Sequence, residues 1–288
     1  MTIRIRVAVA TVATAAAVIC ASTVASAAPT ALLFEMAGAD AAAITPVRDA
    51  FRSAIGGGTV AVANGSFGGL RREINWDGVP DARADSNPLP ANFFNVNSPR
   101  GVVFSTPGSG FLVSANAGAA TPVLFGFAND FATFSAQRLF TAVNSNITDV
   151  SFFVAGTSTA ATTTAFGSIF TDVEMVGGTQ MEFFDETGAL FLTRSVLISG
   201  NQGLSFLGAQ VSGGAISRVR ITSGVNTIAA NGQLGNPNDD VVAMDDFIYA
   251  EAVAATVAGA IPEPSSLALA GLAIAGLVAQ SRRRNPAG

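Results

Sequence analysis

The sequence predicts an all-β protein: an antiparallel β-sandwich or jelly roll with one short N-terminal amphipathic helix and a C-terminal apolar helix. About a dozen short segments of β-forming residues lie between glycine-containing turns, and several of them alternate apolar with polar residues. Apolar residues make up 49% of the 288 residues and charged residues only 12%, which is enough apolar surface for a substantial core.

The amphipathic helix is predicted near residues 45–55. Thr45 is placed as its N-cap and Pro46 as its first helical residue, where the missing N–H of proline does no harm. Three glycines from Gly56 onward end it. The residues that form an apolar stripe at helical spacing are Val47, Ala50, Phe51, Ala54 and Ile55.

The strands are predicted from residue 59 onward. Val219 and Ile221 alternate with Arg218 and Arg220, which is typical of a half-buried strand. With no clear linker or repeat, residues 28–255 are expected to form one domain, in which Pro80–Pro99 is a long surface loop. The predicted strands are Thr59–Ala63, Arg71–Trp76, Gly101–Ser105, Phe111–Ala115, Phe131–Phe140, Ile147–Val154, Phe166–Met175, Gln180–Phe184, Leu190–Ile198, Leu204–Val211, Ile216–Thr222 and Val241–Tyr249.

Charge and missing residue types exclude several functions. Between the two ends of the chain, ten arginines stand against nineteen acidic residues, a net charge of −9 that argues against nucleic acid as a partner. The sequence has no histidine, and its one cysteine, Cys20, lies in the leader described next. Histidine-dependent and thiol-dependent enzymes are therefore excluded, and no enzymatic activity is expected.

The first 27 residues read as a secretory signal. Arg4 and Arg6 precede an apolar run, and Ala25 and Ala27 form a small-x-small cleavage site. Cleavage is predicted after Ala27 and export through the Sec machinery; an uncleaved membrane anchor is the alternative.

The C-terminal residues 256–288 have three parts in order. Pro262, Glu263 and Pro264 form a motif that the prolines keep extended. Leu267–Ala279 is an apolar transmembrane stretch of 13 residues, shorter than the ~20 that span a bilayer comfortably. Arg282, Arg283 and Arg284 follow it and are expected to stay cytoplasmic, which places the body outside the inner membrane.

These three parts together resemble the PEP-CTERM sorting signal. The resemblance implies that an exosortase-type membrane protease recognises the Pro-Glu-Pro motif and releases the body to the cell surface or the exterior. It further implies a Gram-negative bacterium that makes exopolysaccharide and a biofilm matrix. An ordinary C-terminal anchor with a proline-containing stalk is the alternative.

The body also resembles, more loosely, the lectin-like β-sandwich ectodomains that often carry this signal. Three stretches carry the resemblance: Arg71–Gly78, Asn92–Asn95 and Met244–Phe247. The resemblance implies the β-sandwich fold.

Four aspartates form the most suggestive acidic cluster: Asp239, Asp240, Asp245 and Asp246. Strand alternation predicts that Asp245 and Asp246 face opposite sides, so one carboxylate faces the core and needs an arginine, backbone donors or a metal. Oxygen ligands select hard cations, which makes a structural Ca²⁺ site at a strand end one hypothesis. Exposed loop acids with one buried Asp–Arg bridge are the alternative.

Trp76 and Asp77 are the candidate sugar-binding residues. The chain has a single tryptophan, and it lies among polar residues, as in a platform on which a sugar stacks. The alternative is a core tryptophan with its N–H paired. Paired carboxylates, such as Glu73 with Asp77 or Asp185 with Glu186, leave open a polysaccharide hydrolase.

The first functional hypothesis is therefore a non-enzymatic surface or matrix protein that binds carbohydrate, exopolysaccharide or another matrix polymer through its β-sandwich. A purely structural or adhesive surface protein is the second hypothesis, and a carboxylate-dependent hydrolase is the third.

Overall fold

A computed structural model describes residues 29–57, 65–115, 123–229 and 239–255. Strands make up 43% of it and helices 13%, and the strands pair antiparallel. The predicted all-β sandwich is therefore confirmed. The signal sequence, the predicted strand Thr59–Ala63 and the C-terminal tail with its apolar helix lie outside the described residues.

The larger sheet has eight strands. Its main path runs β1-β12-β9-β14-β3-β2, and β6 joins β14 to β5. The bounds are β1 Thr30–Gly38, β2 Ser66–Phe67, β3 Arg71–Ile74, β5 Gly110–Val113, β6 Phe140–Val143, β9 Ala165–Thr171, β12 Leu204–Ser212 and β14 Ala243–Ala250.

The smaller sheet has five strands in the order β11-β10-β13-β7-β4. A separate two-stranded ribbon pairs β15, Val253–Ala254, with β8, Ala161–Thr162. The bounds in the five-stranded sheet are β4 Val102–Ser105, β7 Ile147–Phe152, β10 Gln180–Phe184, β11 Leu190–Ser195 and β13 Arg218–Thr222.

The main core lies between the two sheets. Phe140, Phe166 and Phe247 from the larger sheet meet Val150 and Val219 from the smaller one, and all five are buried. Side chains from the two inner faces interdigitate in this way in a β-sandwich. The predicted alternation in β13 is confirmed, since Val219 and Ile221 are buried while Arg218 and Arg220 are not.

Helix α1, Ala41–Ile55, covers the outer face of the larger sheet. Ile44 and Phe51 are buried there against Ile169, Phe206 and other side chains of the sheet. The predicted start of the helix is wrong by five residues, because Asp40, not Thr45, is the N-cap and accepts a hydrogen bond from the backbone N–H of Ala43. Pro46 lies inside the helix instead of at its start.

Strand β1 was not predicted, because both of its faces are apolar. Leu33 packs against the core between the sheets and Phe34 against the cluster under α1, so this segment lacks the apolar–polar alternation of a half-buried strand.

Two further expectations are wrong. The predicted strand Phe131–Phe140 is a loop up to β6, because its backbone N–H groups bind side chains of Asp245, Asp77 and Thr171 instead of a neighbouring strand. The predicted surface loop Pro80–Pro99 contains a 3₁₀ turn and a short helix α2, Phe93–Val96, and contributes buried apolar side chains to the core. Proline and asparagine content indicated a loop but could not indicate its burial.

No helix among the described residues is long and apolar enough to cross a membrane.

Candidate functional site

A cavity of about 220 Å³ opens between the turn after β3 and the segment around α2. Aromatic rings, including those of Phe94 and Trp76, form part of its wall. None of its nine lining residues is acidic, although acidic residues outnumber arginines in the body. The polar side chains that line it are Asn75, Asn97, Ser98 and Arg100.

Trp76 belongs to the core and borders the cavity. It is 1% exposed, and its ring stacks on Phe140 at 4.1 Å between centroids. Its indole N–H donates a hydrogen bond to the backbone oxygen of Asp245 at 2.9 Å. The proposed sugar platform is therefore wrong for Trp76, because a stacking face must be open to the ligand.

Asp77 is also committed to the fold. Its Oδ1 accepts hydrogen bonds from the backbone N–H groups of Gln137 and Arg138, both at 3.1 Å. The turn holds Trp76 at a φ of 65°, a strained conformation for a large side chain, and the backbone N–H of Val79 donates to its carbonyl oxygen. Asp77 thus positions the turn and the loop before β6, which is a structural role.

The three stretches that carry the resemblance to lectin-like domains come together around Trp76. Asn75, Trp76 and Gly78 line the cavity together with Phe93 and Phe94, and Phe247 packs against the indole with 5.1 Å between ring centroids. These stretches are up to about 170 residues apart in the sequence, so local sequence patterns could not predict that they come into contact.

The segment that carries Arg100 is anchored on several sides. The backbone N–H of Arg100 donates to Phe94 at 2.7 Å, and its carbonyl oxygen accepts from the buried Tyr249 hydroxyl at 2.8 Å. Arg72 donates to the Pro99 carbonyl at 3.0 Å. Next to it, Gly101 has a φ of 73°, and a Cβ there would lie 2.3 Å from the Phe153 carbonyl oxygen, so only glycine fits.

Arg100 is electrostatically unusual among the described residues. Eight of the ten arginines in them form ion pairs with carboxylates, and of the other two Arg83 is exposed while Arg100 is half-buried. Its guanidinium lies over the Phe94 ring, 5.1 Å from the centroid, and donates to the Ser98 hydroxyl. Its Nε has no hydrogen-bond partner in the described part of the chain. Burial lowers the pKa of Arg100; Tyr249 partly opposes this effect, and the charge of nearby Arg72 adds to it.

Asp245 and Asp246 do not face opposite sides of the sheet, so the predicted alternation is wrong here. A β-bulge in β14 shifts the register between Met244 and Phe247, and both of these flanking residues face the core between the sheets. Both aspartates between them therefore point toward α1 and the loop before β6.

The two carboxyls under α1 form a coupled pair. Asp245 is fully buried and accepts hydrogen bonds from the backbone N–H groups of Phe134 and Ser135. Burial, and then repulsion from Asp246, raise the pKa of Asp245 well above its usual range. Burial raises the pKa of Asp246 to about 6, while a hydrogen bond with Asp245 lowers it. Arg48 lies 4.0 Å from Asp246, so the contact between Arg48 and Asp246 partly matches the predicted buried Asp–Arg bridge.

A different set of carboxylates could hold a cation. Asp172, Glu174 and Asp240 offer oxygen atoms that all lie within 4.8 Å of one another. Of the four predicted ligands only Asp240 belongs to this set; Asp245 and Asp246 are under α1, and Asp239 is outside the set. Burial raises the pKa of Asp172 to about 7, and the nearby charges of Glu174 and Asp130 also raise it. The hydrogen bond from the backbone N–H of Gln202 lowers it in part. Asp172 and Glu174 follow a strand and belong to no acidic motif, so no sequence pattern pointed to them.

The carboxylates considered for hydrolysis already have partners. Glu73 accepts hydrogen bonds from Arg52 and Arg71, both at 2.7 Å. Asp185 closes its own turn by accepting from the backbone N–H groups of Thr187 and Ala189. These contacts commit both carboxylates to stabilising the fold.

One part of the chain, its C-terminal tail, matches a protein-family model. The family model described as the PEP-CTERM protein-sorting motif matches residues 260–284, which include Pro262, Glu263 and Pro264. The chain carries a PEP-CTERM protein-sorting motif. No curated protein and no solved structure matched the chain.

The PEP-CTERM motif has direct consequences for location. It indicates an exported protein that passes the membrane and is sorted to the cell surface. It also implies processing by exosortase, a membrane protease.

Replacing Glu263 with alanine is expected to block processing, because the substitution removes the only charged side chain of the Pro-Glu-Pro segment. Intact-mass analysis of membrane and exported fractions should find the variant with its tail retained. Glu186→Ala is the matched control, since it removes the same charge from an exposed loop of the body. An exported Glu263→Ala product with the same mass as the processed wild type would contradict the prediction.

Proposed function

We propose that the β-sandwich is a non-enzymatic module that binds carbohydrate or another matrix polymer outside the cell. The observation that supports this function is the cavity beside Trp76. It presents amide, hydroxyl and guanidinium groups beside buried aromatic rings, a set of polar groups that suits a ligand rich in hydroxyl groups. Export to the surface brings the module to the place where such polymers occur.

The cavity differs from the site predicted from the sequence. Trp76 and Asp77 build its frame, whereas the groups free to contact a ligand are on neighbouring residues. The side-chain amides of Asn75 and Asn97 have no hydrogen-bond partner among the described residues, and both residues are exposed. Unpaired amides at a cavity rim can donate to and accept from hydroxyls without first breaking a protein contact.

The proposed function is tested by co-sedimentation of the exported protein with a panel of insoluble extracellular polysaccharides, neutral and acidic. Wild-type protein is expected to pellet with at least one polymer, and Asn75→Ala with Asn97→Ala should reduce the pelleted fraction. Glu186→Ala, on an exposed turn, is the control. Absence of pelleting with every polymer would overturn the proposal.

A patch of exposed apolar side chains favours the alternative, a structural or adhesive surface protein without a small-ligand site. It borders an open groove of about 480 Å³ beside β11. Large apolar patches on a soluble surface commonly mark contact sites. The exposed apolar side chains that line the groove are Val176, Leu197 and Ile198. If no polymer binds, this alternative becomes the better account.

Calcium binding stays a prediction, with Asp172, Glu174 and Asp240 as the proposed ligands. Three carboxylate oxygens from two loops suit a hard cation, which would also offset their mutual repulsion. Calcium added to chelator-treated protein is then expected to raise the melting temperature, because a ligand that binds only the folded state stabilises it. Asp172→Asn should remove the shift and Asp130→Asn should retain it. An identical melting temperature with calcium and with chelator would exclude a structural site.

A further inference from the structure

We infer that the cavity beside Trp76 is a site for a carboxylate-bearing sugar, a uronic acid unit of a polysaccharide, with Arg100 as the group that binds the carboxylate. This inference rests on the proposed function, since it names the class of polymer that the same cavity binds.

Arg100 lacks a carboxylate counter-ion among the described residues. A half-buried guanidinium loses hydration, and in proteins such a cation is normally compensated by a carboxylate. Every other half-buried or buried arginine of the described residues has one. Arg100 has none there, and no acidic residue lines its cavity. An anionic ligand group would supply the missing charge.

The guanidinium of Arg100 is held in a fixed position. Stacking over Phe94 and the bond to Ser98 hold it in place, while Tyr249 and Phe94 fix its backbone. A guanidinium has five N–H donors, and the bond to Ser98 uses only one of them. The remaining donors on a pre-positioned planar fork match the geometry of a carboxylate.

Neutral hydrogen-bonding groups surround the charge of Arg100 in the cavity. Asn75 and Asn97 place neutral amides at the same cavity, and these suit the hydroxyl groups of a sugar ring. A volume of about 220 Å³ lies below the range of roughly 300–1,000 Å³ for drug-sized ligands, which favours one sugar unit of a chain at a time. The acidic body disfavours a densely charged polyanion but accepts a single charge placed at Arg100.

The test is calorimetric titration of the exported protein with a short oligogalacturonate and with a neutral oligosaccharide of the same length. Wild-type protein is expected to bind the oligogalacturonate at least tenfold more tightly. Arg100→Gln should weaken this binding by roughly 10- to 100-fold, as expected for a charge-assisted hydrogen bond. Arg83→Gln removes the same charge from an exposed, unpaired arginine and should leave the affinity unchanged.

Two further variants guard against an effect on folding. Arg100→Lys keeps the charge but not the planar fork, and it should bind the oligogalacturonate more weakly than wild type but better than Arg100→Gln. Asn97→Ala alters an exposed side chain without a protein partner, so it should lower the affinity several-fold at an unchanged melting temperature.

The outcomes separate the inference from the proposed function. Equal binding of both oligosaccharides, insensitive to Arg100→Gln, would overturn the uronate inference and leave carbohydrate binding in place. Binding of neither, together with no pelleting in the polymer panel, would overturn both. Inorganic sulfate that binds as tightly as the oligogalacturonate would overturn the sugar assignment and leave a general anion site.

Discussion

Replacing Trp76 with alanine is expected to lower the free energy of unfolding by about 3–5 kcal/mol, the usual cost of removing a large buried aromatic side chain. The indole stacks on Phe140 and meets Phe94 and Phe247 edge-on, so its loss opens the centre of the core. It also leaves the backbone oxygen of Asp245 without its indole donor. Chemical denaturation followed by circular dichroism measures the change.

The size of this effect also decides between the two roles of Trp76. An exposed sugar platform would change stability by no more than about 0.5 kcal/mol when truncated, as for most surface positions. Trp76→Phe keeps a ring but loses the hydrogen bond and part of the packing, so it should fall between wild type and alanine. Val176→Ala is the matched control, since Val176 is 88% exposed. A Trp76→Ala variant as stable as this control would show that the indole is not part of the core.

The free energy of unfolding is expected to fall as the pH rises from about 4 to about 7. In this window the folded protein binds more protons than the unfolded chain, because burial raises the pKa of Asp246 to about 6 and that of Asp172 to about 7, from 3.8. Raising the pH therefore removes protons preferentially from the folded state and destabilises it. The loss is on the order of several kcal/mol over the whole window. Denaturation curves at about pH 5 and pH 8 measure it.

Asp245→Asn tests the part of this pH dependence that comes from the coupled pair Asp245 and Asp246. The amide resembles the protonated carboxyl, so the variant is expected to be more stable than wild type near pH 8 by roughly 1–3 kcal/mol and to show a weaker pH dependence. Arg48, Arg52 and Glu73 are the charged groups that face the pair. Asp245→Asn with the pH profile of wild type would contradict this assignment.

Asp149→Asn is the control with the opposite sign. Asp149 is held by Arg218 and Arg220, and their hydrogen bonds outweigh the effect of burial and lower its pKa. Its stabilising contribution is present above the ordinary carboxyl pKa and is lost only as the pH falls below it. The same change in charge should therefore destabilise the protein at both pH 5 and pH 8.

Patterns in the sequence determined what local chemistry can specify. Alternation and turn residues were sufficient for the all-β sandwich and for most of its strands, since a period of two follows from the geometry of a single strand. The C-terminal sorting motif could also be recognised from the sequence, because a protease recognises a short contiguous segment. The apolar stripe from Val47 to Ile55 predicted α1. Its N-cap could be assigned only from the fold, in which Asp40 lies at the turn after β1.

Only the tertiary structure decided where individual side chains lie. One extra residue in β14 turned Asp245 and Asp246 to the same face, which no periodic pattern anticipates. Trp76 could have been a platform or a core residue on its local sequence, and the rings that cover it come from three distant segments. Whether Arg100 has a carboxylate partner likewise depends on which carboxylates the fold brings to which arginines. Such pairings are long-range contacts, and they form only when the two sheets and the helix pack together.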